Sequence, residues 1–330
     1  MNFCTLFDSF YMLKGLALYK SLELQTDNFH LYVMAFDREC YRKLLSLGLR
    51  HLTVELLDDF ETQELLSVKP TRTKAEYCWT CGPSVIWHFM KKYELPDIAY
   101  LDSDLFFLGA PQIIYDEIGD KSVAITEQGI SEKMAKLYGR YCVQYMYFRN
   151  NEEGCKTLEW WKDACIEWCF AKFEGEKYAD QKYLDKFPQI TSSLCVLKNL
   201  GAGIAPWNMQ RYKYTKRNSF IYKGNEYPFV FYHMHGIIID IHGNNLYMRS
   251  KSARINEIKK ACFFIPYANT IIELLNNFFG KNITSYEIKG INSLKSLEFL
   301  FHDLLRGNKF VIWLKYKVLK PSYKGHGVNI

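Results

Sequence analysis

Ile98-Ala-Tyr-Leu-Asp-Ser-Asp-Leu-Phe-Phe107 is an apolar run that stops on two carboxylates one residue apart. Ile98 to Leu101 reads as a short buried strand, with Pro96 ahead of it and the aromatic pair Phe106 and Phe107 behind. Asp102 and Asp104 then sit at a strand's carboxyl end, the edge at which open α/β sheets place ligands. Two hard oxygen donors there suit a divalent cation bridging to phosphate. The competing reading is a solvated turn, because Asp-x-Asp also arises by chance.

Working outward, strands and helices alternate. Asn2 to Phe7, His30 to Ala35 and Thr53 to Leu57 read as strands, separated by helices over Met12 to Leu24 and Asp37 to Leu47. No hairpin signal interrupts them, which predicts a Rossmann-like, mostly parallel sheet covered on both faces. A helix over Lys74 to Tyr93, broken or re-entered at Gly82-Pro83, leads into the Asp102 strand. Beyond it come a short helix at Pro111 to Tyr115, strands at Val123 to Thr126 and Val143 to Phe148, and a long helix over Glu153 to Phe173. Tyr178 to Asp185 opens a further helix, Leu194 to Leu197 is a strand, and Phe229 to His233 is the last strand expected, delivering His233 and His235 at alternate positions. The glycine-punctuated loop Asn199-Leu-Gly-Ala-Gly-Ile-Ala-Pro-Trp-Asn208 can approach a ligand closely, but it lacks the third glycine and following helix of a dinucleotide fingerprint.

The chain has 330 residues, enough for one large or two closely joined domains, and 16% aromatics, which suits ring stacking on sugars or bases as well as a rich core. No apolar run reaches the roughly 18 residues that cross a bilayer, and the amino terminus has no basic head, so a cytosolic, unprocessed chain is expected, or one at the cytoplasmic face of the inner membrane. The 10 cysteines are then reduced thiols; Cys78-Trp-Thr-Cys81, without a strand directly before it, reads as core packing. Cys165 and Cys169 lie four apart with no further metal-ligating partner nearby, and the Asn282-Ile-Thr284 sequon has no use in the cytosol. From Met248 onward there are 14 lysines and arginines against 5 acids, while the whole chain is only +6, so the preceding part is acidic. This basic end, with Arg306, Lys309, Lys315, Lys317, Lys320 and Lys324 among aromatics, suits an anionic membrane surface at ~1 kcal/mol per charge, or a solvated helix over the catalytic domain. Nucleic acid is not expected as a partner, since the rest of the chain is acidic and no binding module is evident.

Four marks in order carry a family resemblance: Phe7-Asp8-x-x-Tyr11, Leu101-Asp-x-Asp104, Asp180-Gln181 and His233-x-x-Gly236. Over about residues 1 to 240 the chain resembles the GT-A nucleotide-sugar glycosyltransferases, nearest to the retaining glycogenin and lipopolysaccharide galactosyltransferase family and to related bacterial capsule and O-antigen transferases. The resemblance implies a catalytic domain over 1–245, its nucleotide-binding half near 1–110 and acceptor half 111–245; it leaves unexplained the basic region over 246–330, which is expected to be largely helical. It implies Mn²⁺ or Mg²⁺ held by Asp102, Asp104 and His233, with His235 as the alternative ligand. Asp8 and Tyr11, beside Phe7, would hold the base of a UDP-sugar donor; Arg72, Lys74 and Ser103 would reach its diphosphate or sugar. Gln181 would lie beneath the anomeric carbon with Asp180 orienting the donor sugar, giving retention; Asp180 as a base on the acceptor would instead give inversion. Gly201, Gly203 and Trp207 would line the side of a glycan or lipid-linked acceptor. The role implied is bacterial surface polysaccharide assembly. Two departures stand out: Ile237 to Ile239 replace the family's Lys-Pro-Trp, and Cys142-Val-Gln144 replaces its Asn-x-Gly turn.

Three other classes share parts of this pattern. A haloacid-dehalogenase-like phosphatase also places Asp-x-Asp after a strand, but wants Thr or Val where Phe106 stands. A nucleotidyltransferase wants a glycine- and arginine-rich loop where Phe7-Asp-Ser-Phe10 stands. A non-catalytic sugar-binding module would have no need of Asp102, Asp104 and Gln181 together.

Overall fold

The computed structural model describes residues 1–215 and 218–290. The calls made on residues beyond 290, including Arg306 to Lys324, lie outside the described residues. In chain order the strands are β1 Asn2–Phe7, β2 His30–Ala35, β3 Leu52–Leu56, β4 Asp97–Leu101, β5 Leu105–Phe107, β6 Val123–Glu127, β7 Tyr141–Arg149, β8 Leu194–Val196 and β9 Ala202–Ile204. They continue as β10 Lys213–Tyr214, β11 Ser219–Tyr222, β12 Asn225–Pro228, β13 Phe231–His233, β14 Ile237–His242, β15 Asn245–Ser250 and β16 Ser285–Lys289.

The main sheet has seven strands in the order β3-β2-β1-β4-β7-β6-β8. Its first half, β3 to β4, is parallel, whereas β7 runs antiparallel to both β4 and β6. Side chains alternate between two apolar layers, as a pleated strand requires. Phe3 and Phe7 of β1, with Leu31 and Val33 of β2, enter one layer with Leu13 and Leu16 of the helix Met12–Gln25. Cys4, Leu6, Tyr32 and Met34 enter the other, against Val85 and Phe89 of the helix Lys74–Lys92 and Trp161 of the helix Glu152–Glu167. Burial on both faces is why these strands read as unbroken apolar runs.

Local chemistry explains most of the boundaries. The Asp37 side chain accepts from the Cys40 amide and starts the helix Arg38–Ser46. Thr73 and Glu76 form a capping box at the start of Lys74–Lys92, and that helix runs through Pro83 without the break expected there. The helix Glu152–Glu167 ends six residues before the expected Phe173. Trp168 is extended, and Arg72 donates to the Ile166 carbonyl while its guanidinium stacks 3.9 Å from the Phe170 ring centre.

β13 is not the last strand. β14, β15 and β16 form a further sheet, and the helix Ile265–Phe278 packs against Met12–Gln25 within the first apolar layer. Residues 245 and 246, where a domain boundary was expected, both lie in β15, paired with His242 and Ile241 of β14. Among the described residues no helix is long and apolar enough to cross a membrane.

Candidate metal and donor site

Asp102 and Asp104 lie in the tight turn between β4 and β5, where the Leu105 amide donates to the Asp102 carbonyl. β5 leaves the main sheet and pairs antiparallel with β13, in the register His233 opposite Leu105. The Met234 amide then donates to the Asp104 carbonyl at 2.8 Å. This pairing, between residues far apart in sequence, brings the histidines to the aspartates.

His233 is buried, and its Nε2 lies 3.0 Å from Asp104 Oδ1 and 3.6 Å from Asp102 Oδ2. Single ligand atoms of Asp104, His233 and His235 all lie within 4.8 Å of one another. The rings of His233 and His235 are edge-on, 5.6 Å apart, with the Trp207 indole edge-on to both. Asp102 stands beside this trio through its contact with His233.

The charges on the cluster are tightly linked. Burial disfavours a charged His233, yet the Asp104 and Asp102 carboxylates lift its pKa well above the ordinary imidazole value. Burial likewise disfavours a charged Asp104, but His233 and then Lys14 hold it well below the usual carboxylate range. Asp102 is pushed up to about 6 by burial, only partly offset by His233. His233 Nε2 thus faces two carboxylates, within hydrogen-bond reach of Asp104 alone. One carboxylate and two imidazoles, with a second carboxylate adjoining, are a donor set able to hold a divalent cation.

Behind the cluster stands a residue that the sequence reading treated only as a departure. Gln144 Oε1 accepts from His233 Nδ1 at 3.0 Å, and Gln144 Nε2 donates to Thr126 Oγ1 at 3.1 Å. That contact fixes the ring so that Nε2 faces the carboxylates. A lone polar residue in the buried strand Tyr141-Cys-Val-Gln-Tyr-Met-Tyr-Phe148 was the available signal. Asn208 was also missed. Buried, it donates to the Gly203 and Gln128 carbonyls and accepts from the Ala205 amide, tying down the loop that carries Trp207.

The remaining candidates fall into three groups. Asp8 caps the turn into the first helix by accepting from the Tyr11 amide, and its other oxygen pairs with Lys74 at 2.5 Å. Tyr11 is half-buried, with the Lys14 ammonium 4.5 Å from its ring centre. Phe7 is a core residue whose ring lies against Gly15, and Arg72 is turned toward Phe170 and Ile166. Ser103 is half-buried in the turn between the two aspartates.

The Asp180 side chain makes no capping hydrogen bond to the short 3₁₀ helix Gln181–Lys186 that follows it. Its carboxyl is buried, and burial together with the Asp102 charge pushes its pKa up to about 8. Gln181 Nε2 donates to the Tyr138 carbonyl at 3.1 Å. Gly201 packs backbone to backbone, since a Cβ there would sit 1.8 Å from the Pro228 carbonyl oxygen; Gly203 faces Gln144 with ordinary room, 3.5 Å. Trp207 Nε1 donates to the Gln128 carbonyl.

All ten cysteines are free, and among the described residues Asp104, His233 and His235 are the one group of three or more that could hold a metal ion. Cys78, Cys81, Cys165 and Cys169 pack in or against the second apolar layer.

No family model matches the chain. It is 32% identical over 244 residues to the uncharacterized protein YfnD of Bacillus subtilis (strain 168), covering 72% of this chain and 78% of that one. It is 30% identical over 245 residues to YfnF of the same strain, covering 71% and 80%. Among solved structures, the galactosyltransferase LgtC in complex with donor and acceptor sugar analogs aligns at a TM-score of 0.50 and 12% identity, covering 83% of this chain and 96% of that one. The fold is therefore GT-A: a large, mostly parallel sheet flanked by helices.

Proposed function

This chain belongs to the family of Bacillus subtilis YfnD and YfnF, and we propose that it is a metal-dependent glycosyltransferase moving a sugar from a nucleotide-sugar donor to a glycan or lipid-linked acceptor. One observation carries the reading: Asp104, His233 and His235 converge to within 4.8 Å at the end of β4. That is where a GT-A sheet offers its ligand edge.

A nucleoside diphosphate leaves well only when its developing charge is held, and a divalent ion bound here would supply that stabilisation. Asp102, Asp104, His233 and His235 are the residues to hold the ion, and Gln144 orients His233 toward it. Asp8 and Tyr11, past the end of β1, are placed to take the base and ribose of a uridine donor, with Lys74 released from Asp8 toward the diphosphate. Phe7 and Arg72 support that pocket from the core and from the Phe170 side. The nucleotide half is thus assigned to residues 1–110, and the acceptor half, with Asp180, Gln181 and Trp207, to residues 111–245.

For the chemistry, Gln181 offers an amide too weakly nucleophilic to attack the anomeric carbon. Front-face substitution with retention follows from that, the leaving phosphate taking the acceptor's proton. Asp180, protonated near neutral pH by its burial, serves better as a donor of a hydrogen bond to the sugar than as a base. Trp207 gives the acceptor sugar an indole face, and the galactosyltransferase of the same fold was solved with both donor and acceptor analogs bound. Surface polysaccharide assembly is the setting we propose, with the basic segment beyond residue 290 approaching an anionic membrane that carries the acceptor.

The test is hydrolysis or transfer from a panel of nucleotide sugars with Mn²⁺, Mg²⁺ or EDTA, followed by NMR of the product's anomeric coupling. Turnover that requires the ion and retains configuration is expected. Equal turnover in EDTA removes the metal assignment, and an inverted product removes the role given to Gln181.

A further inference from the structure

Lys14 is 2% exposed, in the middle of a helix face otherwise made of Leu13, Leu16 and Ala17. A lysine charge at such a position is costly unless it is paired and hydrogen-bonded. Among the described residues the contacts of its ammonium are Asp104 Oδ2 at 3.9 Å, beyond hydrogen-bond reach, and the Tyr11 ring at 4.5 Å. An ammonium has three donors, and neither contact saturates one of them. Asp104 is itself engaged more closely by His233, at 3.0 Å.

A second observation points the same way. The Tyr267 hydroxyl, on the helix Ile265–Phe278 that packs against the helix of Lys14, is fully buried and has no hydrogen-bond partner. Its ring lies 5.3 Å from Phe106, two residues past Asp104, whose charge acts on it. Two packed helices from opposite ends of the described chain thus bring a buried ammonium and a buried, unpaired hydroxyl under the influence of Asp104. A phosphate, rich in acceptor oxygens and negatively charged, is the group that balances such a set.

We infer that Lys14 is a fixed cation of the donor site, gripping a phosphate oxygen of the nucleoside diphosphate beside Asp104, with Tyr267 as a positioning residue behind it. The inference rests on the donor reading given above. It adds that part of the diphosphate affinity is built into the chain and does not require a divalent ion. It also makes the helix Ile265–Phe278 part of the donor site.

Calorimetric titration of the full chain with UDP and with uridine, in EDTA and in Mn²⁺, tests this directly. In EDTA the wild type should bind UDP more tightly than uridine, and Lys14→Met should lose roughly tenfold in UDP affinity with uridine binding unchanged, as expected for one charge-assisted hydrogen bond. Lys14→Gln, which keeps a polar group should Met disturb the helix, should show the same selective loss, with circular dichroism confirming the fold. UDP binding by both variants equal to wild type, or wild-type UDP binding that vanishes in EDTA, overturns the role of Lys14 and leaves the donor reading intact. Failure of the wild type to bind UDP even with Mn²⁺ overturns the donor reading, and this inference with it.

Discussion

Gln144 Oε1, carried on the strand paired with β4, lies 3.0 Å from Nδ1 of His233, whose other nitrogen faces the carboxylates at which β4 ends. The nitrogen that faces the carboxylates is therefore selected from behind. Replacing Gln144 with Leu should weaken Mn²⁺ binding by roughly 10- to 100-fold, the usual effect of losing a residue that orients a ligand histidine. Calorimetric Mn²⁺ titration reads this out, and an unchanged dissociation constant would show that Gln144 serves packing alone.

Asp104 is the anion common to His233 and Lys14. Asp104→Asn should cost about 10²- to 10³-fold in ion-dependent turnover, the equivalent of several kcal/mol of charge stabilisation. It should also drop the His233 pKa, since the carboxylate is what lifts it. NMR titration of the imidazole follows the second effect independently of activity, and a His233 that titrates as in wild type would contradict the charge linkage.

Asp180 makes stability depend on pH. Its folded pKa, about 8, exceeds the ordinary 3.8, so the protonated form is favoured on folding; its contribution is fully present below about pH 4 and is lost as pH rises through 8. Asp180→Asn should remove that loss, gaining stability relative to wild type, on the order of a few kcal/mol, between pH 5 and 9. Urea unfolding in EDTA at the two pH values measures it. A difference between variant and wild type that does not change with pH would mean the carboxyl titrates normally.

The two loop glycines should behave differently. An alanine Cβ at Gly201 meets the Pro228 carbonyl oxygen at 1.8 Å, so Gly201→Ala should destabilise by about 1–3 kcal/mol through overpacking. At Gly203 the nearest atom is Gln144 Nε2 at 3.5 Å, and Gly203→Ala should leave the melting temperature almost unchanged. Equal melting temperatures for the two variants would refute the close backbone approach at Gly201.

How far the fold could be read in advance follows from which features are local. β1 and β2 begin and end where the apolar runs do, and Asp37 caps the helix expected to begin there. The antiparallel insertion of β7 was not visible, because a buried strand is apolar whichever way it runs. Nor were β14 to β16, where an isoleucine run pairs with a mixed strand from a segment noted only for its charge. In the site, Asp102, Asp104 and His233 were legible as residue types at strand ends. Gln144, Lys14 and Tyr267 were not, because their significance lies in what they face across the fold.

The pairing of β5 with β13 sets the shape of the candidate cation pocket before any ligand arrives. Asp104 and His233 are locked together by main-chain register and by the Met234 amide. Assembly of the pocket is thus completed during folding, not by the arriving cation. If the proposed cation binds here, a chelator should strip it without unfolding the chain, and added ion should refill the same preformed pocket.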